Sequence, residues 1–162
     1  MKILQKDTKD IIKVAEEVFT QLAEIANKEG QNRRAGILTI RIPGEGYNRI
    51  VQPIGNVAAC TEKELQRWSF NSQEKAERLE MNLKNGHVSS EQSRDFDNGK
   101  YRGAIYSGRN VIISFSGLSE YDDETLNLII GYNIGWMSWS EIDLILEISK
   151  NTNADLIEKL AA

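Results

Sequence analysis

Cysteine occurs once in the 162 residues, as Cys60, and histidine once, as His87. One thiol excludes a disulfide framework, and one Cys with one His cannot complete a zinc site of that ligand type. Basic residues are also in deficit, 20 Lys and Arg against 24 Asp and Glu, with a pI near 5.2. Phosphate neutralisation needs a basic footprint, so nucleic acid is not the expected partner. No apolar run approaches the roughly 20 residues of a membrane span, and Met1-Lys2-Ile3-Leu4-Gln5-Lys6-Asp7 turns polar too soon for a signal peptide. The expectation is a cytoplasmic protein without membrane contact. Only two prolines occur, and neither an internal repeat nor a low-complexity segment is found.

What the chain does contain is enough apolar material for one core, 40% of its residues. Ile11, Ile12, Ala15, Val18, Phe19, Leu22, Ala23, Ile25 and Ala26 recur at spacings of three and four, which predicts an amphipathic helix over residues 8–29 with Thr8 as cap and Gly30 as stop. Residues 35–42 and 47–54 are β-branched runs about Pro43-Gly44-Glu45-Gly46, a hairpin pattern, with Pro53 confined to an edge. Thr61 and Glu64 have capping-box spacing and open a second helix towards Asn85, with a break expected at Ser69-Phe70-Asn71-Ser72. Residues 87–98 read as irregular. Residues 100–106 and 110–116 flank Ser107-Gly108-Arg109 as a second hairpin.

Ser119 precedes Asp122, Asp123 and Glu124, the acidic start that a helix dipole favours, and Gly131 and Gly135 weaken that helix at its far end. Residues 140–149 and 153–160 then give two short helices; alternation at Ile142, Leu144, Leu146 and Ile148 also fits a strand, but helix places Asp143, Glu147 and Lys150 on one face. Two hairpins with intervening helices make an antiparallel sheet covered by helices, an α/β (α+β) class. The domain spans residues 1–135, and residues 136–162 form a C-terminal helical extension packed on it.

The segment Ala35-Gly36-Ile37-Leu38-Thr39-Ile40 through Gly46, then Gln73-Glu74-Lys75-Ala76, Gly103-Ala104-Ile105, and Ser116-Gly117 before Asp123-Glu124 follow one another in an order that resembles the haem-degrading or haem-binding family, to which the glycolate-operon accessory protein belongs. The resemblance runs from about Thr8 to Gly135. It departs from the family at Pro43, where an Asp is usual, at Ala104, where Pro is frequent, and at Ile112-Ile113-Ser114, which replaces a Gly-Ala-Ile strand. It implies a profilin-like three-layer arrangement and a ligand-binding homo-oligomer, with haem or another tetrapyrrole as the ligand.

Under that implication His87 is the candidate iron ligand, set against a plainer role as a polar loop residue. Lys75, Tyr101, Arg102, Tyr106 and Arg109 border the second hairpin, where cations and aromatic rings could receive a carboxylated planar ligand; exposed hairpin polarity would select much the same residues. Cys60, beside Val57-Ala58-Ala59, reads as a small buried hydrophobe rather than an axial ligand. Asp122, Asp123 and Glu124 are accounted for by the macrodipole rather than by a cation. Gly44-Glu45-Gly46 lacks the context of a dinucleotide loop, and Ser116-Gly117 lacks the preceding glycine of a nucleophile elbow. No carboxylate pair or triad can be defended from spacing, so the alternative to a ligand binder is a non-catalytic scaffold subunit. Trp136-Met137-Ser138-Trp139 is either a cap on the core or a subunit contact. Residues 119–162 carry nine acids against Lys150 and Lys159, a net of −7, leaving +3 on the rest. Apolar Trp139, Leu144, Ile145 and Ile148 ask for cover on more than one side, which a second copy would supply.

Overall fold

The computed structural model describes residues 8–161; the reading of Met1 to Asp7 lies outside them. Helix α1 (Thr8–Lys28) leads into strands β1 (Ala35–Arg41) and β2 (Asn48–Gly55), helix α2 (Glu62–Asn82), strands β3 (Ile105–Ser107) and β4 (Val111–Ser116), and helices α3 (Glu120–Ile134), α4 (Trp139–Ser149) and α5 (Ala154–Leu160). The strands form one sheet in the order β2-β1-β4-β3, antiparallel throughout. Pro53 falls on β2, at the sheet edge, where its missing amide costs no ladder bond between strands.

Side-chain alternation divides the molecule into three layers. Leu38, Ile40, Ile113 and Phe115 point to the side covered by α1 and α3, whereas Ile112 meets Ala76 and Leu79 of α2 on the other. The two central strands are therefore buried on both faces, and β2 alternates between buried and exposed residues. Phe19 of α1 and Phe115 of β4 pack with ring centroids 5.7 Å apart, joining helix to sheet at the centre of the core. The chain is thus an α+β protein, a four-stranded antiparallel sheet between helical layers. Among the described residues no helix is long and apolar enough to cross a membrane.

Several local expectations are corrected. Thr8 is already helical, so it is not an external cap. Helix α2 runs unbroken through Ser69–Ser72. Ser72 is paired with the sheet instead of interrupting the helix: its Oγ donates to Thr39 Oγ1 at 2.8 Å, and Ser114 Oγ donates to the Ser72 carbonyl at 2.7 Å. Residues 100–104 do not join β3, because their backbone is engaged elsewhere. Ala104 N donates to Ser90 Oγ and Arg102 N to Glu120 Oε1, both at 3.0 Å. Residues 87–98 contain two short 3-10 turns, Ser90–Ser93 and Phe96–Asn98.

Gly131 is a close-approach position rather than a weak point of α3: a Cβ there would lie 2.8 Å from Met137 Cγ. Its absence lets the chain fold back so that Trp136 and Met137 are buried, and Trp139 packs on Tyr132 at 5.1 Å between centroids. The Trp-Met-Ser-Trp segment is a cap on the core. Residues 139–149 are helical, begun by a Ser138–Glu141 capping box. Ile142, Ile145 and Leu146 of α4 and Ile157 of α5 enter the same core as the sheet, and of α4's large apolar side chains only Leu144 is exposed. Much of the cover that the sequence reading sought from a second copy thus comes from the chain itself. Cys60 is half-buried rather than buried, at the end of the 3-10 turn Val57–Ala59.

Candidate functional site

The turn from β4 into α3 brings Ser116-Gly117-Leu118 against the middle of α2, and a cleft of ≈ 190 Å³ opens there. Lys75 forms its floor, with a side chain only 1% exposed. Its ammonium donates to the Phe115 carbonyl and, at 3.2 Å, to Asp123 Oδ2. Oδ1 of the same carboxylate accepts from Leu118 N at 2.9 Å. Asp123 is held in place because it belongs to the first turn of α3, which Ser119 caps through the Asp122 amide.

Burial pushes the Asp123 carboxyl up to about 7; the charges of Lys75 and Arg33 and the Leu118 amide oppose that rise without cancelling it. Near neutral pH the Asp123 carboxyl can therefore take up or release a proton. Gly103 closes one side with φ near +127°, and a Cβ there would lie 2.9 Å from Lys75 Nζ and 3.0 Å from Asp123 Cβ. Its missing side chain is what lets the backbone approach the ammonium this closely.

Arg33, Arg67, Trp68, Asn71 and Tyr101 form the rim. Arg33 is pinned by its amide to Asn27 Oδ1 at 2.6 Å and by its Nε to Gln31 Oε1 at 2.9 Å. Neither Arg33 nor Arg67 forms an ion pair among the described residues. Glu120, the other rim carboxylate, is already taken: Arg94 binds it at 3.0 and 2.8 Å, and the Arg102 amide at 3.0 Å. The cleft therefore offers two guanidinium groups without an ion pair among the described residues, Arg67 and the Gln31-anchored Arg33, beside a buried ammonium.

Of the six residues singled out by sequence, Lys75 and Tyr101 share this cleft. His87 lies past the end of α2, half-buried and away from the cleft, with its amide donating to the Asn82 carbonyl at 3.3 Å. Arg102 is a clamp: its guanidinium lies 4.1 Å from the Tyr121 ring centroid, and its Nε is 2.7 Å from Glu91. Tyr106 borders a separate recess of ≈ 120 Å³ with Val88, Glu141 and Leu144. Arg109 is exposed on the hairpin turn.

The dipole account of the acidic start of α3 holds only in part. Asp123 and Glu124 are both buried. Glu124 accepts from Ser89 Oγ at 2.9 Å, Ser149 Oγ at 2.6 Å and Asn151 Nδ2 at 3.1 Å. Burial raises its pKa despite these bonds from Ser149, Asn151 and Ser89. Periodicity could not signal this, because every residue from Asp123 to Gly131 is buried and no single stripe marks the covered face. Arg33 and Arg67 carried no signal either. No group of three or more His, Cys, Asp or Glu among the described residues is placed to hold a metal ion.

No family model matches the chain and no curated protein matches it. Among solved structures, one titled "Crystal structure of Ybr137w protein" is similar at 18% identity, over 82% of this chain and 88% of that one, with a TM-score of 0.36, too low a likeness to carry an argument about either fold or function.

Proposed function

We propose that this chain is a binding protein for a small anionic molecule, a carboxylate of a few carbon atoms, taken into the cleft over Lys75. The observation that carries the reading is the pair of arginines without an ion pair among the described residues, Arg33 and Arg67, lining a pocket whose floor is an ammonium group. Guanidinium binds carboxylate through paired charge-assisted hydrogen bonds, and partial enclosure strengthens them. Trp68 and Tyr101 supply apolar walls for the short carbon chain. The ≈ 190 Å³ of the cleft is below the roughly 300–1,000 Å³ of sites for drug-sized ligands, which favours a small acid over a tetrapyrrole.

Calorimetric titration with lactate, succinate and inorganic phosphate tests the proposal. A carboxylate is expected to bind, and Arg67→Ala to weaken it about tenfold or more, the value of one charged hydrogen bond. No binding by any of the three would overturn it. Hemin addition separates the tetrapyrrole expectation: a Soret shift present in wild type and lost in His87→Ala would replace the small acid by haem.

The same proposal includes self-association. Tyr47 just before β2, Val51 on β2 and Met81 on α2 stand exposed around one recess, and Phe70 of α2 is exposed as well. Such a patch is what a closed dimer covers.

A further inference from the structure

We propose, resting on the reading of the cleft as a small-carboxylate site, that Lys75 is a nucleophilic amine that forms an imine with the carbonyl carbon of a small 2-oxo acid. Among the described residues Lys75 heads the fully buried side chains by size, yet it lines an opening rather than a sealed core. A lysine charge is kept on surfaces unless burial does something for it; imine-forming amines are the usual chemical use of a buried one.

The geometry around Nζ supplies what the step needs. An ammonium has three donors, and two are spent on the Phe115 carbonyl and Asp123. One direction remains; Gly103, which has no side chain, packs closely beside Nζ, and Lys75 itself lines the cleft. Asp123 Oδ2, 3.2 Å away, is the base that takes the ammonium proton and frees the lone pair. The lone pair attacks the carbonyl carbon, a C–N bond forms, and the carbonyl oxygen receives the proton held by Asp123. Loss of that hydroxyl as water, with the second N–H proton leaving on it, gives the imine. Amine and ketone are consumed and imine and water are formed, so no oxidant, reductant or co-reactant is required. Arg33 and Arg67 hold the carboxylate next to the carbonyl, which a simple carboxylate binder would not need to orient.

The test uses the full chain with pyruvate and cyanoborohydride, which reduces an imine to a stable secondary amine, followed by peptide mass mapping. The expected result is a carboxyethyl group on Lys75 that saturates at low pyruvate and precedes modification of the exposed Lys9, Lys13, Lys63 and Lys84. Lactate, which has no carbonyl, is expected to compete. Arg67→Ala, on the exposed side of α2 and so without consequence for folding, should lower Lys75 labelling about tenfold at subsaturating pyruvate. Exposed lysines modified while Lys75 is not would overturn the inference. If lactate and pyruvate then still bind by calorimetry, the small-carboxylate reading stands without the imine; if neither binds, both are lost.

Discussion

Asp123 is the residue on which charge, burial and chemistry meet, and its pH behaviour can be stated with a sign. Its folded pKa, about 7, lies above the ordinary carboxylate value because burial penalises the charged form. The folded state therefore holds the proton more tightly than the unfolded chain does. The stability this contributes is complete below the unfolded pKa and is lost as pH rises through about 7. Urea unfolding of wild type and Asp123→Asn from pH 4.5 to pH 8, values on the order of that window, should show the wild-type advantage shrinking as pH increases. A widening advantage would mean that Lys75 dominates and Asp123 is ionised throughout. Gly103→Ala belongs to the same scale. With φ near +127° and two atoms within about 3 Å of the added carbon, it should cost about 1–3 kcal/mol and displace Lys75, read as a lower urea midpoint together with weakened carboxylate binding. Lys75 itself was legible as a candidate from its residue type and place beside the hairpin. Its partner was not singled out, since an acid at a helix start has a sufficient local explanation and α3, buried nearly all round, has no stripe to mark Asp123.

Among the elements, α1 and α2 were read from periodicity and caps, and for a physical reason: each buries one stripe against the sheet, so the 3.6-residue repeat is in the sequence. Phe19, 3% exposed and packed on Phe115, should cost about 3–5 kcal/mol when truncated to Ala, measured by urea midpoint; a loss below about 1 kcal/mol would remove it from the core. The third helix shows a different logic, being buried nearly all round, so periodicity says little about what it touches. Glu124 on α3 ties together three segments, the loop at Ser89, the end of α4 at Ser149 and the linker at Asn151. Glu124→Ala leaves those donors unpaired and should cost about 3 kcal/mol or more. Glu124→Gln keeps oxygen and hydrogen-bonding capacity, and should be milder. Because burial raises the Glu124 pKa, wild type loses stability as pH rises through that raised value, and the Gln variant should lack this loss. Chemical denaturation of both variants at pH 5 and pH 8, values on the order of the carboxylate range and above it, distinguishes them.

At the scale of the whole molecule, light scattering should report a species larger than the 18.3 kDa chain, and Met81→Glu, which places a charge in the exposed patch, should shift it towards the monomer. A sharp monomer peak in wild type that persists on concentration would remove the self-association proposal. The amino-acid sequence by itself determined the element order, the hairpin character of both strand pairs, the edge position of Pro53 and the amphipathic stripes, because these depend on residues within a few positions of one another. It also marked Lys75 and Tyr101, two of the cleft residues. Tertiary structure decided the rest. The partners of Ser72, the release of residues 100–104 from the sheet, the intrachain cover for α4 and the gathering of Arg33, Arg67, Lys75 and Asp123 around one opening all join segments far apart in the chain. Burial and pairing of that kind arise only when separate elements pack, and it is packing, not local propensity, that turns an ordinary lysine and an ordinary helix-start aspartate into a coupled pair beneath a cleft.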